Sequence, residues 1–172
     1  MKIFLTGYMG SGKSVIGEML AKKLNYNYVD LDDQIEVIQG KNINDIFESK
    51  GELFFRKLES QILDDILEDT SNMIISLGGG TPCYGNNFER ICEQKDTKSI
   101  YLKASIQTLT DRLFVEKIHR PVISHLETRE ALEEFIRKHL FERAYYYSQS
   151  DISITVDEKT PETIVAEIME RL

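Results

Sequence analysis

Ile3-Phe4-Leu5-Thr6-Gly7-Tyr8-Met9-Gly10-Ser11-Gly12-Lys13-Ser14 is the stretch that decides the fold. Ile3 to Leu5 form a short apolar run suited to a buried strand, and Val15, Ile16, Met19, Leu20 and Leu24 recur behind the stretch at helical spacing. Between them, Gly7 to Ser14 match G-x-x-x-x-G-K-[ST], a loop in which backbone N–H groups wrap a polyphosphate and the lysine reaches its outer charges. Gly7, Gly10 and Gly12 can adopt backbone angles that penalise a Cβ, and they let phosphate oxygens come close to the main chain. The loop opens a helix N-terminus, where unpaired N–H groups and the positive end of the dipole favour a polyanion. Lys13 adds a full charge and Ser14 a ligand for Mg²⁺. An ordinary glycine turn would account for the glycines but not for the Lys-Ser pair directly after them. The chain is therefore expected to bind a nucleoside triphosphate.

Working outward, further apolar runs at Tyr28 to Val29, Met73 to Leu77, Ser99 to Leu102 and Ile152 to Val156 alternate with longer segments of helical periodicity. This alternation predicts an α/β fold with a parallel sheet, whose strand C-terminal ends share one edge where ligands collect. With 172 residues, 41% hydrophobic and 29% charged, the chain suits a single compact unit, and no repeat or low-complexity linker divides it. A formal charge of -8 argues against a general nucleic-acid or anionic-membrane binder, so an anion site must be local. One N-terminal lysine is followed by too few apolar residues for a signal peptide, and no run is long enough to span a bilayer. A cytoplasmic location is the resulting expectation. Cys83 and Cys92 lack metal-type clustering with histidines and need only a reducing compartment.

Candidate chemistry follows the strands. In an extended chain Asp30 and Asp32 would project from the same side, and beside a triphosphate such a pair calls for a cation and for a hydroxyl that donates to one of them. Asp33 is expected to cap a helix beginning near Gln34. Gly78-Gly79-Gly80 at the end of the third run could let a small ligand lie against bare backbone, although turn formation also uses one or two glycines. Glu52 to Glu68 reads as a helix with an apolar stripe through Phe55, Leu58, Ile62 and Ile66 that includes Glu59. Arg56 at its edge could pair with Glu59 and face a site, or stand exposed beside Glu52 or Glu59. In a second helix, about Thr128 to Tyr147, Arg143 falls within the apolar face of Leu132, Phe135, Ile136, Leu140 and Tyr147. An inward arginine needs an anion, either a structural carboxylate or the acid group of a substrate. Residues 113–129, with Pro121 and mixed charges, are loosely patterned and could form a lid over a ligand or a plain surface connection. His119, His125 and His139 show no metalloprotease or nucleophile-activating spacing. Tyr145-Tyr146-Tyr147 reads as a helix end with one ring buried.

Taken together, the loop through Ser14, Asp30-x-Asp32, Phe55-Arg56 with Glu59, Gly78-Gly79-Gly80, Arg120-Pro121 and Arg143 resemble the shikimate kinases over nearly the whole chain. The resemblance implies a three-layer, five-stranded parallel sheet with helices on both faces, of the P-loop kinase type. It also implies a small mobile lid about 113–127 and a shikimate-binding helical segment about 32–62. The implied reaction is ATP-dependent phosphorylation of the shikimate 3-hydroxyl, on the way to chorismate and the aromatic amino acids, in a monomer. By position, Gly10, Ser11, Gly12, Lys13, Ser14 and Val15 would bind the phosphates, and Arg112 with the segment near Pro161 would lie on the adenine side. Ser14, and Asp30 through water, would hold Mg²⁺, while Asp32 would orient the attacking hydroxyl. Arg56, Arg143 and the Gly78 to Gly80 region would grip the carboxylate and ring, Phe47 and Phe55 would form an apolar wall, and Arg120 would swing in on the transferring phosphoryl. Met9 within the loop, and Val122-Ile123 where leucines are frequent, depart from the family pattern without removing a charge.

Two other functions compete. A kinase for another hydroxylated metabolite, such as gluconate or a nucleoside monophosphate, would share the sheet, but the arginines favour an acceptor bearing a carboxylate. A nucleotide-dependent switch would leave the Asp-x-Asp pair, the triple glycine and the inward arginine unexplained, and the guanine-reading [NT]-K-x-D is absent.

Overall fold

The computed structural model describes residues 1–117 and 120–172. Five strands, β1 (Lys2–Thr6), β2 (Asn27–Asp30), β3 (Met73–Ser76), β4 (Thr97–Lys103) and β5 (Ile152–Thr155), form one parallel sheet in the order β2-β3-β1-β4-β5. They are joined by α1 (Lys13–Leu24), α2 (Leu31–Gln39), α3 (Ile43–Lys50), α4 (Glu52–Glu68), α5 (Asn87–Glu93), α6 (Ile106–Glu116), α7 (Pro121–Ser124), α8 (Arg129–Tyr147) and α9 (Pro161–Arg171). A 3-10 turn, Thr81–Cys83, follows the triple glycine.

Side-chain alternation along the central strand produces the three layers. Ile3 and Leu5 of β1 enter one core with Ile16 and Leu20 of α1, Leu109 and Leu113 of α6, Leu132 and Ile136 of α8 and Ile164 and Ile168 of α9. Phe4 enters the opposite core with Leu31 and Ile35 of α2, Ile46 of α3, Leu58, Ile62 and Leu63 of α4 and Ile91 of α5. Coverage of both sheet faces explains the continuous apolar runs of the central strands β1 and β3, which are buried at every position, whereas the edge strands β2 and β5 keep exposed positions. Helix starts are set locally: Asn42, Ser105, Thr128 and Thr160 each accept, through their side chain, from the N–H three residues on.

The first residues of the segment read as loosely patterned are helical. Leu113 to Glu116 continue α6, and Leu113 is fully buried against the phosphate loop, because its contact with Gly10 outweighs the weak local pattern. Ile118 and His119 of that segment lie outside the described residues. Among the described residues, no helix is long and apolar enough to cross a membrane.

Gly17 permits the close approach of α1 to the sheet. An added Cβ there would lie 2.4 Å from Cε2 of Tyr28 and 3.1 Å from Oγ of Ser76. The Tyr28 hydroxyl is hydrogen-bonded to Ser76 Oγ at 3.0 Å and donates to Asp30 Oδ2 at 3.3 Å, so the ring is tethered and cannot yield freely. Gly17→Val should therefore destabilise the protein by about 1–3 kcal/mol through overpacking, read as a lowered urea midpoint at unchanged m-value.

Candidate active site

All five strands run in parallel, so the phosphate loop after β1, Asp30 at the end of β2 and the triple glycine after β3 meet at one edge. The loop has the geometry its glycines foretold, with φ of 79° at Gly10 and 97° at Gly12. Lys13 has no carboxylate within ion-pairing distance among the described residues; its ammonium donates to the carbonyls of Gly7 at 2.9 Å and Tyr8 at 3.2 Å. Burial pushes this ammonium down to about 8, against the pull of Asp32 and Asp30. The hydroxyl of Ser11 is buried without a hydrogen-bond partner among the described residues. A desolvated cation, an unpartnered hydroxyl and a helix N-terminus suit a triphosphate, whose oxygens would satisfy all three.

Asp30 and Asp32 do converge, but not as neighbours on an extended chain. Helix α2 starts at Leu31, so Asp30 is its N-cap, accepting from Asp32 N at 3.1 Å through Oδ1, and Asp32 stands on the first helical turn. The capping role expected of Asp33 thus belongs to Asp30, because the strand passes into the helix without an intervening loop. Asp33 is an exposed member of the first turn. The other Asp30 oxygen, Oδ2, accepts from Ser14 Oγ at 3.0 Å. Two hard oxygens side by side suit Mg²⁺, which takes one or two protein ligands and completes its shell with phosphate and water. Among the described residues, no cluster of three or more His, Cys, Asp or Glu could hold a metal without such help. Burial, followed by the charges of Asp30 and Glu59, raises the Asp32 carboxyl to about 6, while Lys13 and Arg56 oppose the shift.

Two cavities adjoin here. One, of about 410 Å³, is lined by the phosphate loop from Met9 to Ile16, Asp30, Asp32, Arg112, Glu116, Arg120, Lys159 and Pro161. The other, of about 680 Å³, is lined by Phe47, Phe55, Arg56, Glu59, Gly78, Gly79, Gly80, His139 and Arg143 among others. Met9, Asp32, Gly79 and Arg120 line both. Every residue singled out above as a site candidate lies on one of these walls.

Inside the larger cavity the arginines differ. Arg56, only 13% exposed, donates from Nη1 to Glu59 Oε2 at 2.9 Å, and Glu59 also accepts from the Thr81 hydroxyl. The triple glycine makes room for this network: a Cβ on Gly80 would lie 2.6 Å from Arg56 Nη2, and one on Gly78 would lie 2.8 Å from Asp32 Oδ1. Arg143 has no carboxylate within ion-pairing distance among the described residues. Its guanidinium stands 5.8 Å from the centre of the Tyr8 ring, and an added Cβ on Gly79 would be 3.5 Å from its Nη1. Phe47 and Phe55 stack at 4.6 Å to form an apolar wall. Arg120 is held by Glu116, with Nε at 3.1 Å and Nη2 at 2.8 Å from Oε2. Arg112 donates to the carbonyl of Gly10 at 3.0 Å.

The shikimate kinase family model matches residues 9–172. The chain belongs to the shikimate kinase family. It is 47% identical to the shikimate kinase of Flavobacterium psychrophilum over 97% of this chain and 96% of that one. The solved shikimate kinase of Bacteroides thetaiotaomicron superposes with a TM-score of 0.92 at 35% identity, covering 99% of this chain and 97% of its own. That of Acinetobacter baumannii, solved in complex with shikimate, superposes with a TM-score of 0.87 at 26% identity, covering 99% of this chain and 91% of its own. Family membership brings ATP-dependent phosphoryl transfer, Mg²⁺ as the accompanying ion and a place in the shikimate pathway.

For a shikimate kinase fold the sequence patterning left several cavity residues without a role in the site. Glu36, Asn44, His139 and Val122 line the larger cavity, and Glu116 and Lys159 the smaller. Of these only Glu116 carried a legible signal, its i,i+4 spacing to Arg120. The Glu59 to Thr81 bond was foreshadowed only by the carboxylate in an apolar stripe.

Because the Asp32 carboxyl titrates higher in the folded chain than in the unfolded one, its ionisation costs stability above about pH 6, and that cost disappears below the ordinary carboxylate range. Asp32→Asn should stabilise the ligand-free protein by about 1–3 kcal/mol at pH 7.5 and by nothing near pH 3.5, measured by urea unfolding. Removing one partner of the buried pair acts the other way: Glu59→Ala should cost about 3–5 kcal/mol in the same measurement.

Proposed function

We propose that the protein moves the γ-phosphoryl group of ATP to the 3-hydroxyl of shikimate, giving shikimate 3-phosphate and ADP. The nucleotide occupies the smaller cavity and the acceptor the larger. One observation carries this assignment: Asp32 and Arg120 line both cavities, so a carboxylate and a guanidinium stand where the two would exchange a group.

The main-chain N–H groups from Gly10 to Val15, with Lys13, hold the β- and γ-phosphates. Arg112 and the start of α9 at Pro161 flank the base. Ser14, and Asp30 through water, would hold Mg²⁺, which when bound neutralises charge on the phosphate oxygens. Arg143 receives the acceptor's carboxylate because no carboxylate among the described residues satisfies its guanidinium, and Arg56 with the Gly78 to Gly80 backbone supports the ring and hydroxyls. Phe47 and Phe55 cover its apolar face.

Asp32 accepts a hydrogen bond from the 3-hydroxyl and aligns its oxygen with the γ-phosphorus. As the new O–P bond forms, the bond to the ADP oxygen breaks and the hydroxyl proton passes to Asp32, from which solvent removes it. Arg120 leaves Glu116 and turns its guanidinium onto the charge developing on the transferring group, carried by a lid that starts after α6 and extends to about residue 127. Residues 32–62 close from the acceptor side. One chain supplies both cavities and its two cysteines, Cys83 and Cys92, are free, which supports a cytoplasmic monomer.

An ATP-consumption assay with shikimate as the only acceptor tests the assignment, and turnover of gluconate without turnover of shikimate would overturn it. Lys13→Ala, Asp32→Ala and Arg120→Ala should each lower kcat by about a hundredfold or more. Arg143→Ala should raise the KM for shikimate roughly ten- to a hundredfold, the loss of a charged hydrogen bond, with much less effect on the KM for ATP.

A further inference from the structure

His139 stands one helical turn before Arg143 on α8, and both side chains line the larger cavity. The imidazole is half-buried and packs on Phe135 with ring centroids 4.1 Å apart. Its Nδ1 lies 3.4 Å from the hydroxyl of Tyr8, a phosphate-loop residue that is 1% exposed. Burial pushes that hydroxyl up to about 12, so it retains its proton at neutral pH and can donate to the ring. A neutral imidazole that accepts at Nδ1 carries its proton on Nε2, and an imidazolium carries one on each nitrogen. In both states Nε2 is an N–H donor. None of the described residues accepts from it, and the ring forms part of the cavity wall.

The charged groups that act on the ring are Arg143 and Glu142 on its own helix, and the same cavity is also lined by Arg56, Arg120, Asp32, Asp33, Glu36, Glu52 and Glu59. Burial and Arg143 favour the neutral ring, with Glu142 opposing them. Two N–H donors one turn apart, a guanidinium and an imidazole, therefore line one cavity, and no carboxylate among the described residues lies within ion-pairing distance of Arg143. We propose that His139 is a further acceptor-binding residue, donating from Nε2 to the acid group held by Arg143, with Tyr8 fixing the orientation of the ring. This rests on the assignment of Arg143 to the acceptor's carboxylate. It makes the pocket selective for a planar anion through two donors on one rigid helix, and it links that selectivity to the phosphate loop through Tyr8.

Steady-state kinetics with ATP and shikimate test it on the intact protein. His139→Leu should raise the KM for shikimate about three- to tenfold while kcat and the KM for ATP stay within about twofold, and His139→Gln, whose amide N–H replaces Nε2–H, should restore most of the loss. In the wild type, the ¹⁵N resonance of His139 Nε2 should move on saturation with shikimate, a readout that does not depend on any variant folding. An unchanged KM in His139→Leu together with an unmoved Nε2 resonance, while Arg143→Ala raises the KM, would overturn the role of His139 and leave that of Arg143 standing. If Arg143→Ala also left the KM unchanged, both assignments would fall.

Discussion

Opposite charges withheld from water at one sheet edge are the constraint the rest of the structure serves. Lys13 lies within the electrostatic reach of Asp32 and Asp30, and burial works against the charged form of both Lys13 and Asp32. Neither effect would arise on a solvated surface, where water would screen the groups. The parallel sheet holds the charges apart on separate elements: Lys13 on α1 after β1, Asp30 and Asp32 at the start of α2 after β2. Gly17 keeps α1 close against Tyr28 and Ser76, and Tyr28 in turn holds Asp30. Stability is sacrificed locally so that a phosphate and a hydroxyl can be received in a dry, charged setting.

The cavity arginines divide the remaining work according to their partners. Arg56 is held in place by buried Glu59, which Thr81 also satisfies, so it acts as a fixed wall. Arg120 is tied to the half-exposed Glu116, a pair weak enough in water to exchange for a phosphate. Arg143 faces aromatic rings and backbone, and its charge is left for a ligand. Under the proposed assignment, residues of one type serve as scaffold, moving part and receptor through differences in burial and pairing.

Much of this was legible along the chain because it is periodic or local. The phosphate loop lies between a strand and a helix as patterned, α4 runs from Glu52 to Glu68 as its stripe predicted, and Tyr147 is the buried ring of its triplet. Local patterning went astray at boundaries. Asp30 and Asp32 share the cleft through a strand-to-helix junction rather than through strand alternation, and tertiary contact with Gly10 extends α6 through the start of the expected lid. The Tyr8 to His139 contact joins residues 131 positions apart and had no pattern to announce it.

By itself, the sequence determined the alternation of strands and helices, the phosphate-binding loop and the inventory of charges, because hydrophobic period and backbone permissiveness act over a few residues. Only the tertiary structure decided how far each charge is withdrawn from water. Arg56 and Arg120 meet carboxylates three and four residues away along the chain, but how deeply each pair is buried, and that Arg143 finds no carboxylate among the described residues, depend on which distant elements the sheet brings to the same edge, and burial there sets the energy of each charge.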